Sequence, residues 1–285
     1  MRSRSRDGLL LADKPAGMTS HDAVMAARRA LGERKIGHAG TLDPFASGLL
    51  VLLTGRATRL LSYLDGEPKV YDASIRFGSE TETDDLTGDV TRSAPPPEPG
   101  AVRGAMGALT GYIEQVPPQY SAKKVAGRRS YDAARRGQSL PLAAARVFVH
   151  EWIIREERPD EWLVTIVCGG GTYVRALARD LGRGAASAAH LTALRRVRSG
   201  RFDVRDAVPV ADLDDRAAGA LRSPLSGLDL PIDRLDDEGV ARVVRGLPVP
   251  ARVAGVRAAL VDEEASLVAI ADRRGAGALT AEGDA

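Results

Sequence analysis

The chain has 285 residues, 44% of them hydrophobic and only 4% aromatic, enough for one large domain and a small one with cores built mainly from Ala, Val, Leu and Ile. No apolar run is long enough to span a membrane, and no secretory-type apolar region follows the basic start at residues 1–7. The lone Cys168 excludes an intramolecular disulfide and a structural zinc cluster and fits a cytosolic location. Net charge is only +2, but residues 1–64 and 121–201 are net basic and residues 65–120 and 202–285 net acidic, which points to a localised polyanion-binding face.

In chain order, the apolar run from Gly8 to Asp13 predicts a strand that enters a turn at Lys14-Pro15. Thr19 or Ser20 caps a helix to Leu31, with Val24, Ala27 and Leu31 as its apolar stripe and Gly32 as its stop. Leu49–Leu53 predicts a buried strand. From Tyr71 to Phe77 the residues alternate, with Tyr71, Ala73, Ile75 and Phe77 on one face and Asp72, Ser74 and Arg76 on the other. Gly78–Asp89 is acidic and polar and reads as a loop. A Pro-rich connector at residues 94–100 precedes a helix to Leu109. Residues 120–146 are dense in Arg, Lys, Ala and Gly. Val147–Ile154 and Trp162–Cys168 predict two strands joined by a charged turn. Gly169-Gly170-Gly171 then leads into a helix capped by Thr172, with Val174, Leu177 and Leu181 inward. Strands and helices interleave without regular alternation, so the fold class expected is α+β with a mixed, largely antiparallel central sheet and flanking helices. A composition shift near residue 230 predicts a small appended domain with a frayed tail from residue 275.

Two segments carry candidate chemistry. Gly37–Leu50 (GHAGTLDPFASGLL) sets a carboxylate, Asp43, among glycines and small residues, with His38 five residues earlier. Its glycines permit close approach of a ligand or another backbone, and basic residues flank it. Gly169–Leu177 (GGGTYVRAL) places Tyr173 and Arg175 at a helix start behind glycines, where Arg175 could pair a carboxylate from elsewhere. The four histidines have no metal-ligand spacing, so no metal is expected.

Several segments together resemble one family. They are Lys14–Ser20, Lys35–Pro44, Lys69-Val70-Tyr71, Gly78–Gly88, Pro117–Lys124, Gly171–Arg175 and Leu194–Gly200. In this order they are similar to the bacterial tRNA pseudouridine-55 synthases, the TruB family, over about residues 8 to 203. The resemblance implies that Asp43 is the essential aspartate and Tyr71 the ring that stacks on the target base. It implies that Tyr173 and Arg175 complete the site, that His38 meets the flipped-out RNA, and that Lys14 and Leu194 line the pocket. It further implies RNA-binding roles for Arg196 and for Lys123, Lys124, Arg128 and Arg129 in a thumb-like insertion at about residues 120–146. The implied organisation is a catalytic domain over residues 1–230 and a short PUA-like domain over 231–285. No cofactor is implied. The implied partner is the T-arm stem-loop of tRNA, met by a cytoplasmic monomer with no obligatory protein partner. Three rivals stand beside this resemblance: the family's RNA-guided relative acting on ribosomal RNA, which lacks such an insertion; a non-catalytic RNA-binding or RNA-folding protein, which has no need of a buried ion pair; and a structural helper of the ribosome, which the charge pattern alone allows.

Overall fold

The two apolar runs near the N-terminus meet as neighbours in a sheet, β1 (Gly8–Lys14) antiparallel to β3 (Ser47–Thr54), with β2 (Ile36–Ala39) on the far part of β3. The computed structural model describes residues 6–64, 66–120, 124–125, 128–129, 141–274 and 277–281. Both runs are continuously apolar because both faces are covered. Leu10, Ala12, Leu50 and Leu52 pack under helix α1 (Ser20–Leu31), while Leu9, Leu11, Leu49 and Val51 pack on the other side. Thr19 caps α1 in a reciprocal capping box with Asp22, and Gly32 ends the helix at φ +61°. A short 3₁₀ turn follows β3 at Gly55–Ser62.

The alternating run is β4 (Lys69–Phe77), and its burial follows the predicted period. Acidic Gly78–Asp89, expected as a loop, instead opens with a short strand. In the structure β5 (Ser79–Thr81) pairs with β6 (Val90–Ser93), and Asp84 turns the hairpin at φ +59°. Then come α2 (Pro99–Ala108), β7 (Gly111–Gln115), and a two-residue ladder of β8 (Lys124–Val125) with β9 (Arg128–Arg129). β10 (Ala145–Glu157) and β11 (Glu161–Cys168) form a long hairpin, and α3 (Val174–Gly184) leads to β12 (Ala189–Ser199). Short strands β13 (Phe202–Asp203) and β14 (Val208–Pro209) and helix α4 (Leu213–Arg216) finish the unit.

The large sheet runs β14-β1-β3-β12-β4-β11-β10-β7, with β2 on β3 and β13 on β12. Its pairs are antiparallel except β1 with β14 and β3 with β12, so the mixed, largely antiparallel sheet is as expected. One face of β4, β10, β11 and β12 packs against α2 and α3 around Ile75, Val149, Ile166, Leu177 and Leu191. The parallel pairing of β3 with β12 is confined to Ser47–Gly48 against Arg195–Arg196. It brings the end of the Asp43 segment to the middle of the sheet.

A second sheet, β15-β17-β18-β19-β16, is built from β15 (Ile232–Arg234), β16 (Val249–Pro250), β17 (Arg257–Val261), β18 (Leu267–Arg274) and β19 (Ala278–Ala281). Helix α5 (Asp237–Val244) covers it. Ala259 and Ile270 pack against Leu53, Leu60 and Leu228, so the small β domain is seated on the large one by apolar contact.

Candidate active site

Asp43 lies in the turn between β2 and β3, and three anchors fix that turn. Ser20, the first residue of α1, donates from Oγ to the Leu42 carbonyl at 3.0 Å and accepts from the Leu42 amide at 2.9 Å. The Gly17 amide donates to the Pro44 carbonyl at 2.7 Å. Lys14 Nζ donates to the carbonyls of Pro15, Met18 and Ala46. The Lys14 side chain is fully buried, and burial lowers its pKa to about 8, partly opposed by Asp43. Lys14 therefore lies beneath the turn and supports it; it is not among the residues that line the cleft.

Arg175, in the first turn of α3, reaches across to this loop. Its Nε donates to Asp43 Oδ2 at 2.8 Å, and its side chain is 4% exposed against 35% for Asp43. Nη1 donates to the Thr83 carbonyl at 2.8 Å and lies 3.6 Å from Asp85 Oδ2, while Nη2 donates to the Tyr120 carbonyl at 2.9 Å. One guanidinium thus ties the carboxylate to the β5–β6 hairpin and to the start of the basic segment. Helix α3 begins one residue later than expected. Its N-cap is Tyr173 rather than Thr172, because Gln115 holds the Tyr173 backbone extended, accepting from its amide and donating to its carbonyl.

These elements surround a cleft of about 240 Å³ lined by Asp43, Tyr71, Tyr173, Arg175, Leu194 and Arg196, with Lys69 and Gly40 at its wall. Asp43 is its one carboxylate. Tyr71 is 7% exposed, and burial raises the pKa of its hydroxyl. Arg196 is 1% exposed; Nε donates to the Leu49 carbonyl at 2.7 Å and Nη2 to the Gly40 carbonyl at 3.0 Å. Asp43, Tyr71, Tyr173, Arg175, Leu194 and Arg196 therefore converge on one cleft. His38 does not line the cleft. It sits half-buried on β2 with Nδ1 unbonded, and burial, the Arg196 charge and His21 lower its pKa. Lys123 and most of the thumb-like segment lie outside the described residues; of Lys124, Arg128 and Arg129 the structure gives the backbone ladder.

The sequence reading missed Lys69 as a site residue. The signal was present, because Lys69 lies two residues before Tyr71 and so shares its face of β4. Cys168 is buried in the core and its thiol is pushed up to about 11 by desolvation, as suits an inert core cysteine. Among the described residues no cluster of three or more His, Cys, Asp or Glu is placed to hold a metal ion, and no helix is long and apolar enough to cross a membrane.

Residues 28–174 match the model of the TruB family pseudouridylate synthase N-terminal domain, and residues 175–235 match that of the tRNA pseudouridylate synthase B C-terminal domain. A tRNA pseudouridine synthase B of Thermobifida fusca is 46% identical over 84% of this chain and 85% of its own length. One from Corynebacterium efficiens is 40% identical over 93% of this chain and 92% of its own. Among solved structures, a chain from a Cbf5–Nop10–Gar1 complex matches 98% of this chain and 84% of its own length at 25% identity, with a TM-score of 0.71.

Proposed function

Because the chain belongs to the TruB family of pseudouridylate synthases, we propose that it isomerises the T-loop uridine of tRNA, position 55, to pseudouridine with Asp43 as the reacting carboxylate. The observation that carries this reading is the Asp43–Arg175 pair at the wall of the cleft, with Tyr71 and Tyr173 beside it. A non-catalytic RNA binder has no physical need for a buried guanidinium that directs its Nε at a partly exposed carboxylate in a cleft.

The reaction breaks the N1–C1′ bond, turns the base over and forms C5–C1′. The C5 proton leaves and N1 gains one, so no oxidant, reductant or donated group is required. Asp43 can serve by attack on C1′, by addition to C6 or by taking a ribose proton; the atoms balance in each case. The target base is unreachable while stacked, and flipping it out costs a few kcal/mol. Stacking on the Tyr71 ring offsets roughly 1–3 kcal/mol of that. Tyr173, whose backbone Gln115 fixes, is proposed to act through its hydroxyl at the C5 proton.

The basic segment 120–146 is proposed as the clamp on the T-arm stem, and His38 as a contact to the flipped strand. Support for the clamp comes from its charge and from the Arg175–Tyr120 bond, which roots the segment at the cleft wall. The enzyme is proposed to act as a cytoplasmic monomer without a guide or protein partner. Similarity favours this over the guided reading: relatives named tRNA pseudouridine synthase B are 40% and 46% identical, against 25% for the Cbf5-complex chain. The test is to incubate the pure protein with an unmodified tRNA transcript and map pseudouridine. Modification of the T-loop uridine is expected; modification only after other proteins or a guide RNA are added would reject the stand-alone reading.

A further inference from the structure

The cleft carries more positive charge than its chemistry uses. Lys69, Arg175 and Arg196 line it against the single carboxylate of Asp43, and Lys14 lies just beneath. Arg175 is occupied by Asp43 and two carbonyls. Lys69 is in a different position. Among the described residues no hydrogen bond or ion pair engages it; burial, foremost, and the Arg196 charge act against its charged form, and the nearby Glu67 carboxylate opposes them only in part. A half-buried cation without a partner is costly unless a ligand compensates it.

Lys69 and Arg196 also converge on one point. A Cβ built on Gly40 would lie 3.4 Å from Arg196 Nη1 and 3.7 Å from Lys69 Nζ, and nothing else comes closer than 3.4 Å. Residue 40 has φ +84°, which side-chain-bearing residues rarely adopt, so this point stays open to the cleft. We infer that Lys69 and Arg196 form an anion seat beside Gly40 that holds a phosphate flanking the flipped uridine. The inference rests on the nucleotide-binding reading above. Before the N1–C1′ bond breaks, the acceptors uracil offers are neutral carbonyls, whereas a phosphodiester brings a full negative charge and free oxygens to charge-assisted bonds throughout.

The test uses the full chain and a T-arm hairpin RNA carrying one uncharged methylphosphonate at either phosphate flanking the target uridine. At one of the two positions the neutral linkage should weaken wild-type binding about 10- to 100-fold, the range of a hydrogen bond to a charged group. Lys69→Met should weaken binding of the unmodified hairpin by a similar factor and lower the log–log salt slope by about 0.7–0.9. The two changes together should cost no more than either alone, and Lys69→Arg should retain most of the affinity. Losses that multiply at both positions, or a Lys69→Met slope equal to wild type, would overturn the seat. Wild-type turnover of the unmodified hairpin is scored separately: coupling without any pseudouridine would reject the catalytic reading and leave the seat standing.

Discussion

Replacing Arg175 by Met keeps most of the stem volume and removes the guanidinium. The side chain is 4% exposed, and it holds Asp43 at 2.8 Å, the Thr83 and Tyr120 carbonyls at 2.8 and 2.9 Å, and Asp85 at 3.6 Å. Removing one partner of a buried ion pair costs about 3–5 kcal/mol, because the remaining charge stays desolvated. The Asp43 share is reduced, since water reaches a carboxylate that is 35% exposed. The Asp85 share is moderated because Thr83, Thr87 and the Thr87 amide still donate to it. The two carbonyls that lose a donor restore much of the difference, at about 1–3 kcal/mol each if they stay dry. A net loss of about 3–5 kcal/mol is therefore expected in urea denaturation, read as a lower midpoint at constant slope. Asp43→Asn, by contrast, keeps an acceptor for Arg175 at a partly solvated position and should cost no more than about 1 kcal/mol. Pseudouridine formation should fail in both variants, for different reasons. An Arg175→Met protein within about 1 kcal/mol of wild type would show that the guanidinium does not organise the site, and the argument from the ion pair would fail.

Three further outcomes follow from the structure. Tyr71→Ala should lose far more turnover than Tyr71→Phe, because the platform proposed for the base is the buried ring and not its hydroxyl; equal single-turnover losses would refute stacking. Gly48→Ala should destabilise by at least about 2 kcal/mol in thermal or urea unfolding, since residue 48 has φ +105° and its Cβ would meet the Arg196 carbonyl at 2.3 Å; a neutral effect would mean the β3–β12 contact is loose. Asp84 is buried beside Arg179, and desolvation outweighs the pull of Arg179 and Arg175 and, with Asp180, raises its pKa from 3.8 to about 6. The folded state then holds this proton more tightly than the unfolded chain. Its contribution is fully present below pH 3.8 and is lost as pH rises through about 6. Relative to Asp84→Asn, wild-type stability should fall by about 3 kcal/mol across that window, and parallel stability–pH curves for the two proteins would show that Asp84 is not the titrating group.

The elements legible in the sequence are those where one physical pattern acts alone. β1 and β3 carry the unbroken apolar stretches Leu9–Ala12 and Leu49–Leu52 because both faces are covered, and α1 declares its ends through Thr19 and Gly32. β4 alternates cleanly from Tyr71 to Phe77. β12 was not legible as a strand, although it is central. Two bulges, between Leu191 and Ala193 and between Arg196 and Arg198, break its period, and Arg196 is charged yet 1% exposed. Burial of that side chain depends on carbonyls of Leu49 and Gly40, some 150 residues away in sequence, which no local window contains. The β5–β6 hairpin was hidden for a related reason: its strands are polar, and β6 is exposed along its length. In the site, Asp43 and Arg175 stood out because a carboxylate and a cation lay beside glycines. Lys69 was passed over because a lysine at the start of a strand ordinarily faces water.

Asp43 is proposed to perform the chemistry and not merely to hold the fold. The most direct measurement is pseudouridine mapping in a tRNA transcript after incubation with Asp43→Asn, alongside its Kd for the same RNA. The substitution keeps size and an acceptor for Arg175 while removing the charge. No pseudouridine with tRNA affinity within a few-fold of wild type is the expected result. Measurable turnover by Asp43→Asn would contradict the account.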